Sequence, residues 1–462
     1  MIKNSFNKKY QYGFKDNNKP LVQLKKGLSI NVIKTISKIK NEPKWMVDNR
    51  LKAFQAFKKI KNPKWGPNLS FINFDDYIYY SSAITGGYKT DWNEIPDNIK
   101  NTFKKLNISD EHAKVLSGVN DQYDSENVYH SLEKELQEKN VIFSNIETAI
   151  KEHPELVKKY FGKLVPMTDN KYAALNTAVW SGGSFLYVPK NVKLDKPLQS
   201  YFRINTKSVG QFERTLIIID EGATAHYVEG CTAPIYDKNN LHAAVVEVFV
   251  KKNAKFRYST IQNWSDNVLN LVTKRARVEE NAVMEWIDGN LGSGLNMKYP
   301  ATYLVGKNAS SKCISIAVSH KGVIQDTGAK MIHLAPNTKS LIISKSIAHS
   351  GGEANYRGLV NITKNAPYSM ATVTCDTLIL DSTSKSDTIP TEIITNKTSF
   401  LKHEAKVTDL DKEKMFYLNS RGINEEDAKH LLVLGFMEEF INELPMEYAV
   451  ELNRLLKQDL TN

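Results

Sequence analysis

Eight short strings centred on Asn or Gly recur through the second half of this chain: PKNV at 189, DEGA at 220, KKNA at 251, EENA at 279, GKNA at 306, APNT at 335, TKNA at 363 and ITNK at 394. Their central residues fall at 191, 222, 253, 281, 308, 337, 365 and 396, so the steps are 31, 31, 28, 27, 29, 28 and 31 residues and the period is about 29. Asn and Gly adopt positive φ most cheaply, which one corner of each turn of a coil requires. From Tyr187 to about residue 407, Val, Ile, Thr, Tyr and Phe alternate with polar positions, the period of a strand, with no helical pattern between corners. Strands repeated at this period predict a β-solenoid. Its coils stack about 4.8 Å apart, so residues one period apart become neighbours in space.

The flanks read differently. Ser29 caps a predicted helix over INVIKTISKIK, and Pro43 stands where the first turn of the next begins, which Pro63 stops. Helical patterns recur in WNEIPDNIKNTFKKL, in SENVYHSLEKELQEK and in NIETAIKEHPELVKKYFGKL. After Lys406, DKEKMFYLNSRG has Asp411 as a cap and Gly422 as a stop, NEEDAKHLLVLGFMEEFINEL opens on acids that suit a helix N-terminus, and a last helix starts from Pro445. The predicted fold class is mainly β: a solenoid over 166–407 between a helical region at 1–165 and a C-terminal helical region at 408–462.

Composition excludes several functions. A net charge of +11 invites a nucleic-acid reading, but the basic residues are mostly Lys spread along the chain, and Arg, which grips phosphate and bases bidentately, is scarce. No nucleic-acid partner is expected. No apolar run approaches the length of a membrane span, and the N-terminus lacks a secretion-type apolar core. GxxxxGK[ST], HExxH and GxSxG are all missing, so no catalytic engine is recognisable. A solenoid carbohydrate-active enzyme would want a secretion signal and clustered Asp and Arg, and neither is found.

Cys231, Cys313 and Cys375 are far apart and odd in number, which argues against a disulfide framework. The stretch from Cys375 to Glu404 begins with a cysteine in a β-prone run and ends on a His-Glu pair in another. Thiolate, imidazole and carboxylate hold transition metals, while a buried thiol and a packed histidine are the structural alternative. Cys375 and His403 are 28 residues apart, about one coil, although Cys375 follows Asn365 by ten and His403 follows Asn396 by seven, so an offset around the coil is expected. Cys313, in the alternating run SKCISIAVSH, reads as a buried inert thiol. Arg203, Asn205, Gln262, Trp264 and Lys274 lie inside β runs, where they give the solenoid a polar interior if they point inward and an ordinary surface if they point outward.

The strings YGF at 12, KNEPKW at 40, EGCTAP at 229, QNW at 262, TKRA at 273, IHLAPNT at 332, YRGLV at 356, CDTLIL at 375 and HEA at 403 resemble the SufB family, core subunits of the SUF iron–sulfur cluster assembly scaffold, over essentially the whole length. The resemblance implies a right-handed parallel β-helix flanked by N-terminal and C-terminal α-helical regions, and a scaffold rather than an enzyme. ATP hydrolysis would come from a SufC-like ATPase docked on the C-terminal helices. The implied partners are a SufD-like subunit or a second copy, a cysteine desulfurase with its sulfur-transfer protein, and cluster carriers. The implied cargo is a transient iron–sulfur cluster of 4Fe-4S type.

Carried over by residue, the resemblance makes Cys375, His403 and Glu404 the cluster ligands and Cys231 the sulfur acceptor. Arg203, Asn205, Gln262, Trp264 and Lys274 match a sulfur path. The chain departs from the family at Lys402, where many relatives carry an acid, in the short loop before Lys274, and in lacking an N-terminal cysteine cluster. Its Lys, Asn and Ile bias resembles plastid-encoded members, of apicoplast type, with a bacterial cytoplasm as the alternative. Cys231 and Cys375 together argue for the active member of the pair rather than its structural sister.

Overall fold

The structure, a computed structural model, describes residues 20–83, 89–97, 99–101, 116–206, 208–233, 239–444 and 446–460. Its centre is a β-solenoid of about 8 turns made from two parallel sheets. One sheet stacks Leu198–Arg203, Thr224–Thr232, Lys255–Trp264, Val283–Gly292, Ser310–Ser319, Lys339–Ala348, Met370–Ile379 and Phe400–Asp409. The facing sheet includes Ser184–Val188, Arg214–Ile219, Val245–Val250, Val268–Val278, Ala301–Leu304, Lys330–His333 and Glu353–Ile362.

Side chains alternate across each strand, so each sheet has an inner and an outer face. The inner faces meet over Tyr227, Tyr258, Trp286, Cys313, Ile342, Val373 and Cys375. The outer face of the first sheet, with Ile287, Ile314, Ile316 and Ile343, is covered by Val433, Met437 and Phe440 of the helix Glu425–Ile441 and by Leu452 and Leu456 of Met446–Leu460. On the far side, Ile218, Phe249 and Leu271 pack under the helices Ile30–Ile39, Lys44–Lys59 and Lys171–Val179. Two buried ion pairs fix this cover. Arg214 meets Glu247 at 2.5 Å while Glu247 also accepts from the backbone of Gly162, Leu164 and Val165, and Arg50 meets Glu42 at 2.6 Å while donating to the carbonyl of Trp180.

The corners behave as the repeat predicts for six coils. Asn191, Gly222, Asn253, Asn281, Asn308 and Asn337 all have φ between 55° and 69°. Asn281 donates to the side chain of Asn253 and Asn308 to that of Asn281, so the corner amides form a ladder along the edge. Gly222 is required twice over, by its φ of 69° and because an added Cβ would lie 2.2 Å from Asn191 Oδ1. In the seventh coil the positive φ belongs to Tyr368, at 58°, instead of Asn365. Each earlier strand enters the register two residues after its corner, and Met370 follows Tyr368 by two. The repeat read from Asn365 is therefore out of phase by three residues.

Local readings at the flanks are mixed. Ser29 Oγ accepts from Val32, Asp411 accepts from Glu413 and Lys414, and Gly422 has φ 86° past its helix. Pro43 caps Lys44–Lys59 rather than opening it. The helix expected over SENVYHSLEKELQEK is not formed. Glu126–Leu132 is a strand paired antiparallel with Gly118–Tyr123, which joins the first sheet beside Leu198–Arg203, and only Lys134–Glu138 is helical. Docking onto an open sheet edge overrides a weak helical period. The helix reading at 92–106 is met by a 3₁₀ turn at Trp92–Glu94 and by helical residues at 97 and 99–101, and beyond residue 101 it lies outside the described residues, as does Pro445.

Asp121, in the added strand Gly118–Tyr123, is buried with neither carboxylate oxygen hydrogen-bonded among the described residues. Burial pushes its pKa up to about 8. Above its unfolded value near 3.8 the folded chain holds a proton that the unfolded chain releases, so stability falls as pH rises from about 4 to 8 and is flat above. Asp121→Asn is expected to leave Tm nearly unchanged at pH 4.5 and to raise it by several degrees at pH 8.5, measured by thermal denaturation at both values.

Candidate functional site

Cys375 lies on Met370–Ile379, one coil in from the open end of the solenoid, and His403 on the last strand, Phe400–Asp409. The ladder pairs Cys375 with Ala405 and Val373 with His403, so the two functional residues are offset by two positions. Two positions is one full strand period, which keeps both side chains on the inner face. Cys375 Sγ lies 3.6 Å from His403 Nε2. Two ligands of one tetrahedral metal, bound at about 2.0 to 2.3 Å, stand roughly 3.5 Å apart, so this donor pair fits a shared iron.

His403 Nδ1 is 2.6 Å from Glu392 Oε1, on the strand Thr388–Ile394 of the facing sheet. A carboxylate on the far ring nitrogen fixes the tautomer and turns Nε2 toward the sulfur. Glu404, adjacent in sequence to His403, points to the opposite face of its strand, where it is 62% exposed and lies 3.7 Å from Lys402. The structure thus brings Cys375 and His403 together and leaves Glu404 outside the pair, with Glu392 as the carboxylate in contact. Among the described residues no group of three or more His, Cys, Asp or Glu side chains is arranged to hold a metal ion by itself. The Tyr356 hydroxyl hydrogen-bonds Cys375, and burial, against that bond, pushes the thiol up to about 12.

A second constellation forms around Cys231 on Thr224–Thr232. Its sulfur is 2% exposed among Phe202, Ile204, Trp264 and Val268, and faces Glu229 Oε1 at 4.0 Å. Burial first, then the Glu229 charge, raises this thiol well above its usual range. Gln262 is its register neighbour, and the Trp264 ring lies 4.8 Å from His242. Arg203 donates to Thr232 at 3.2 Å, and the backbone of Asn205 donates to Asp124 at 2.6 Å. Lys274 reaches in from the facing sheet to Thr260 at 2.7 Å and Glu229 at 3.4 Å. All five of these positions are buried. Gln262, Trp264 and Lys274 share the inner face, whereas Arg203, paired with Thr232, lies on the opposite face of its strand beneath the cover.

The sequence reading missed what joins the two constellations. Glu229, Thr260, Asp288, Ser315, Ser344 and Cys375 occupy one column of the register, each opposite the next across successive coils, and every one is buried. Ser315 bonds Ser344 at 3.2 Å. Lys298, on the facing sheet, meets Asp288 at 2.8 Å and Gln262 at 2.8 Å, and burial depresses its pKa to about 8. Counting seven residues from the true corners would have revealed the column, but the displaced corner at Tyr368 breaks the count just before Cys375. Cys313 is fully buried one register column away, beside Trp286 and Ile342, and burial raises its thiol far up, as an inert core residue requires.

Fold and site define a β-solenoid protein with a thiol and imidazole converging near its open end and a second buried thiol joined to them by a polar column. The chain belongs to the SufBD family of iron–sulfur cluster assembly proteins. Residues 202–436 match the profile described as SUF system FeS cluster assembly, SufBD core domain, and residues 31–200 match that of the SufBD protein N-terminal region. An iron–sulfur cluster assembly SufBD family protein of Staphylococcus aureus (strain USA300) is 55% identical over 451 residues, covering 98% of this chain and 97% of the relative. One from Staphylococcus haemolyticus matches with the same identity and coverage. These relatives are bacterial, so the plastid reading of the Lys, Asn and Ile bias gains no support from them. Among the described residues no helix is long and apolar enough to cross a membrane.

All three thiols are buried and raised, so in the native chain at pH 7.5 iodoacetamide is expected to label each at least about tenfold more slowly than in urea. Raising the pH to 9 should label Cys375 first, because the coil beyond it is exposed, and peptide mass mapping reads the order. Faster labelling of Cys231 or Cys313 would contradict the burial described.

Proposed function

We propose that this chain is the SufB-type member of its family, a scaffold on which an iron–sulfur cluster is assembled and from which it is handed on. The observation that carries the reading is the 3.6 Å approach of Cys375 and His403 from adjacent coils. Iron and sulfide are the substrates here. Cys375, after losing its proton, and the neutral Nε2 of His403 would hold iron of the growing cluster, with Glu392 orienting the imidazole. Mixed thiolate and imidazole ligation binds a cluster less tightly than four thiolates, which suits a site that must release it. Glu404, the third ligand implied by the resemblance, stands on the outer side of the strand and would reach the cluster only from a rearranged or shared site.

Cys231 would receive sulfur as a persulfide from a desulfurase and its transfer protein. It stands five coils from Cys375, about 24 Å along the axis, which excludes direct attack of one thiol on the other's persulfide. The polar column from Glu229 through Ser344, with Lys274 and Lys298 beside it, offers an anionic sulfur species a route. Release from Cys231 as hydrosulfide would take two electrons from a donor outside this chain.

The open end of the solenoid favours a partner there. Phe400, Val407, Ile393 and Ile394 are each at least 43% exposed on the last coil, whose strand edges are unpaired among the described residues. A SufD-like subunit or a second copy would complete the Cys375 site. The short helix Lys412–Ser420 buries none of its residues and presents Phe416 at 75% and Tyr417 at 56% exposure, a surface suited to a SufC-like ATPase. A bacterial cytoplasm is the compartment this reading fits, and 4Fe-4S the cluster type it proposes.

Anaerobic reconstitution with iron and sulfide tests the site. Visible absorption of the cluster should be largely lost in Cys375→Ser and His403→Ala and unchanged in Cys313→Ser. Glu392→Gln should shorten cluster lifetime several-fold while Glu404→Gln in the isolated chain changes it little. A cluster spectrum unaffected by both Cys375→Ser and His403→Ala would overturn the assignment.

A further inference from the structure

A cleft of about 410 Å³ lies on the outside of the solenoid, between the segment Ile60–Trp65, the turn Asp169–Tyr172 and the outer face of the second sheet. Its volume is in the range of small-molecule sites. It faces away from the Cys375 site, and the assembly reading makes no use of it.

Two features of its walls point to one chemistry. Trp65, Tyr172 and Tyr299 supply aromatic surface, with Trp65 edge-on to Tyr299 at 5.6 Å and 47% exposed. Lys61, Lys171, Arg275 and Lys330 supply four cations against one carboxylate, Asp169, a balance of +3; Lys274 also borders the cleft, but its ammonium is held inside by Glu229 and Thr260. Asp169 is already bound to Arg275 at 2.6 Å, and Lys171 donates two hydrogen bonds to the carbonyls of Phe57 and Ile60, keeping one N–H. The Lys330 ammonium has no hydrogen-bonded or ion-paired partner among the described residues. Its ammonium lies 5.7 Å from the Trp65 ring and 5.3 Å from that of Tyr299. Nearby, Arg357 also lies over Trp65, at 5.4 Å, with its own charge matched by Asp326 at 3.0 Å. Burial, Arg275 and Arg357 disfavour the charged form of Lys330 more than Asp169 favours it, a cost that an anion in the cleft would offset.

We propose that this cleft binds a small organic phosphate with a planar ring, of mononucleotide size, the phosphate on Lys330 and Lys171 and the ring against Trp65. Unmatched ammonium groups select the multiply charged anion, and the exposed indole selects the ring. An inorganic anion alone would leave the aromatic wall uncovered, and an uncharged ring would leave Lys330 unmatched.

Isothermal titration of the full-length protein with adenosine 5′-monophosphate, in low salt at pH 7.5, tests this. Saturable binding is expected, weakened roughly tenfold by Lys330→Ala and about threefold by Trp65→Leu, with most of the affinity retained in Lys330→Arg. Adenosine should not bind. Circular dichroism and Tm of each variant identify any loss due to misfolding, and Lys330→Ala should reconstitute its cluster normally, which separates this inference from the assembly site. Three results would overturn it: no binding up to about 5 mM, inorganic phosphate binding as tightly as the nucleotide, or affinity unchanged in both Lys330→Ala and Lys330→Glu.

Discussion

The molecule depends on the parallel hydrogen-bond ladder that holds successive coils in register. Because side chains alternate with a period of two, a one-residue slip would turn every inward residue outward, so the register fixes the composition of the interior as firmly as it fixes the backbone. The corner amides, stacked from Asn253 through Asn281 to Asn308, reset the register at each coil. Within that frame the interior is divided into columns. One, from Tyr227 and Tyr258 through Trp286 to Ile342 and Val373, is apolar and holds the sheets together. The next, two residues along, runs from Glu229 to Cys375 and is polar throughout.

A polar column inside a core is costly unless its members are paired, and here the facing sheet supplies the partners. Lys274 meets Glu229 and Thr260, Lys298 meets Asp288 and Gln262, and His242 lies between Glu213 and Asn270 at 2.6 and 2.5 Å. Charges of both signs thereby stay inside the solenoid beside the apolar column that begins at Tyr227. Burial raises all three thiols in the isolated chain, and Cys375 sits closest to the exposed last coil.

Particular residues show how far the sequence could be read. The corner spacing led to the solenoid and set Cys375 and His403 one coil apart, which the structure bears out at 3.6 Å. It also suggested an offset between them, and the ladder, pairing Met370 with Phe400, makes that offset two residues, a full strand period that keeps both side chains on one face. Glu392 escaped notice because it lies eleven residues before His403 on a different strand. Lys298 escaped because nothing in NMKYP distinguishes an inward lysine from a surface one. The strand at Glu126–Leu132 was misread because its period of apolar residues suits a helix as well, and only an available sheet edge decided between them.

By itself, then, the sequence determined the coil, through the recurrence of residues that tolerate positive φ, and it determined the family through strings spread along the whole chain. The tertiary structure decided which side chains meet. Strand pairing carries His403 to Cys375 and turns Glu404 away, and it lines up six residues spaced 27 to 31 apart into a single polar column. Those juxtapositions follow from register, and register is a property of the stacked coils rather than of any one segment.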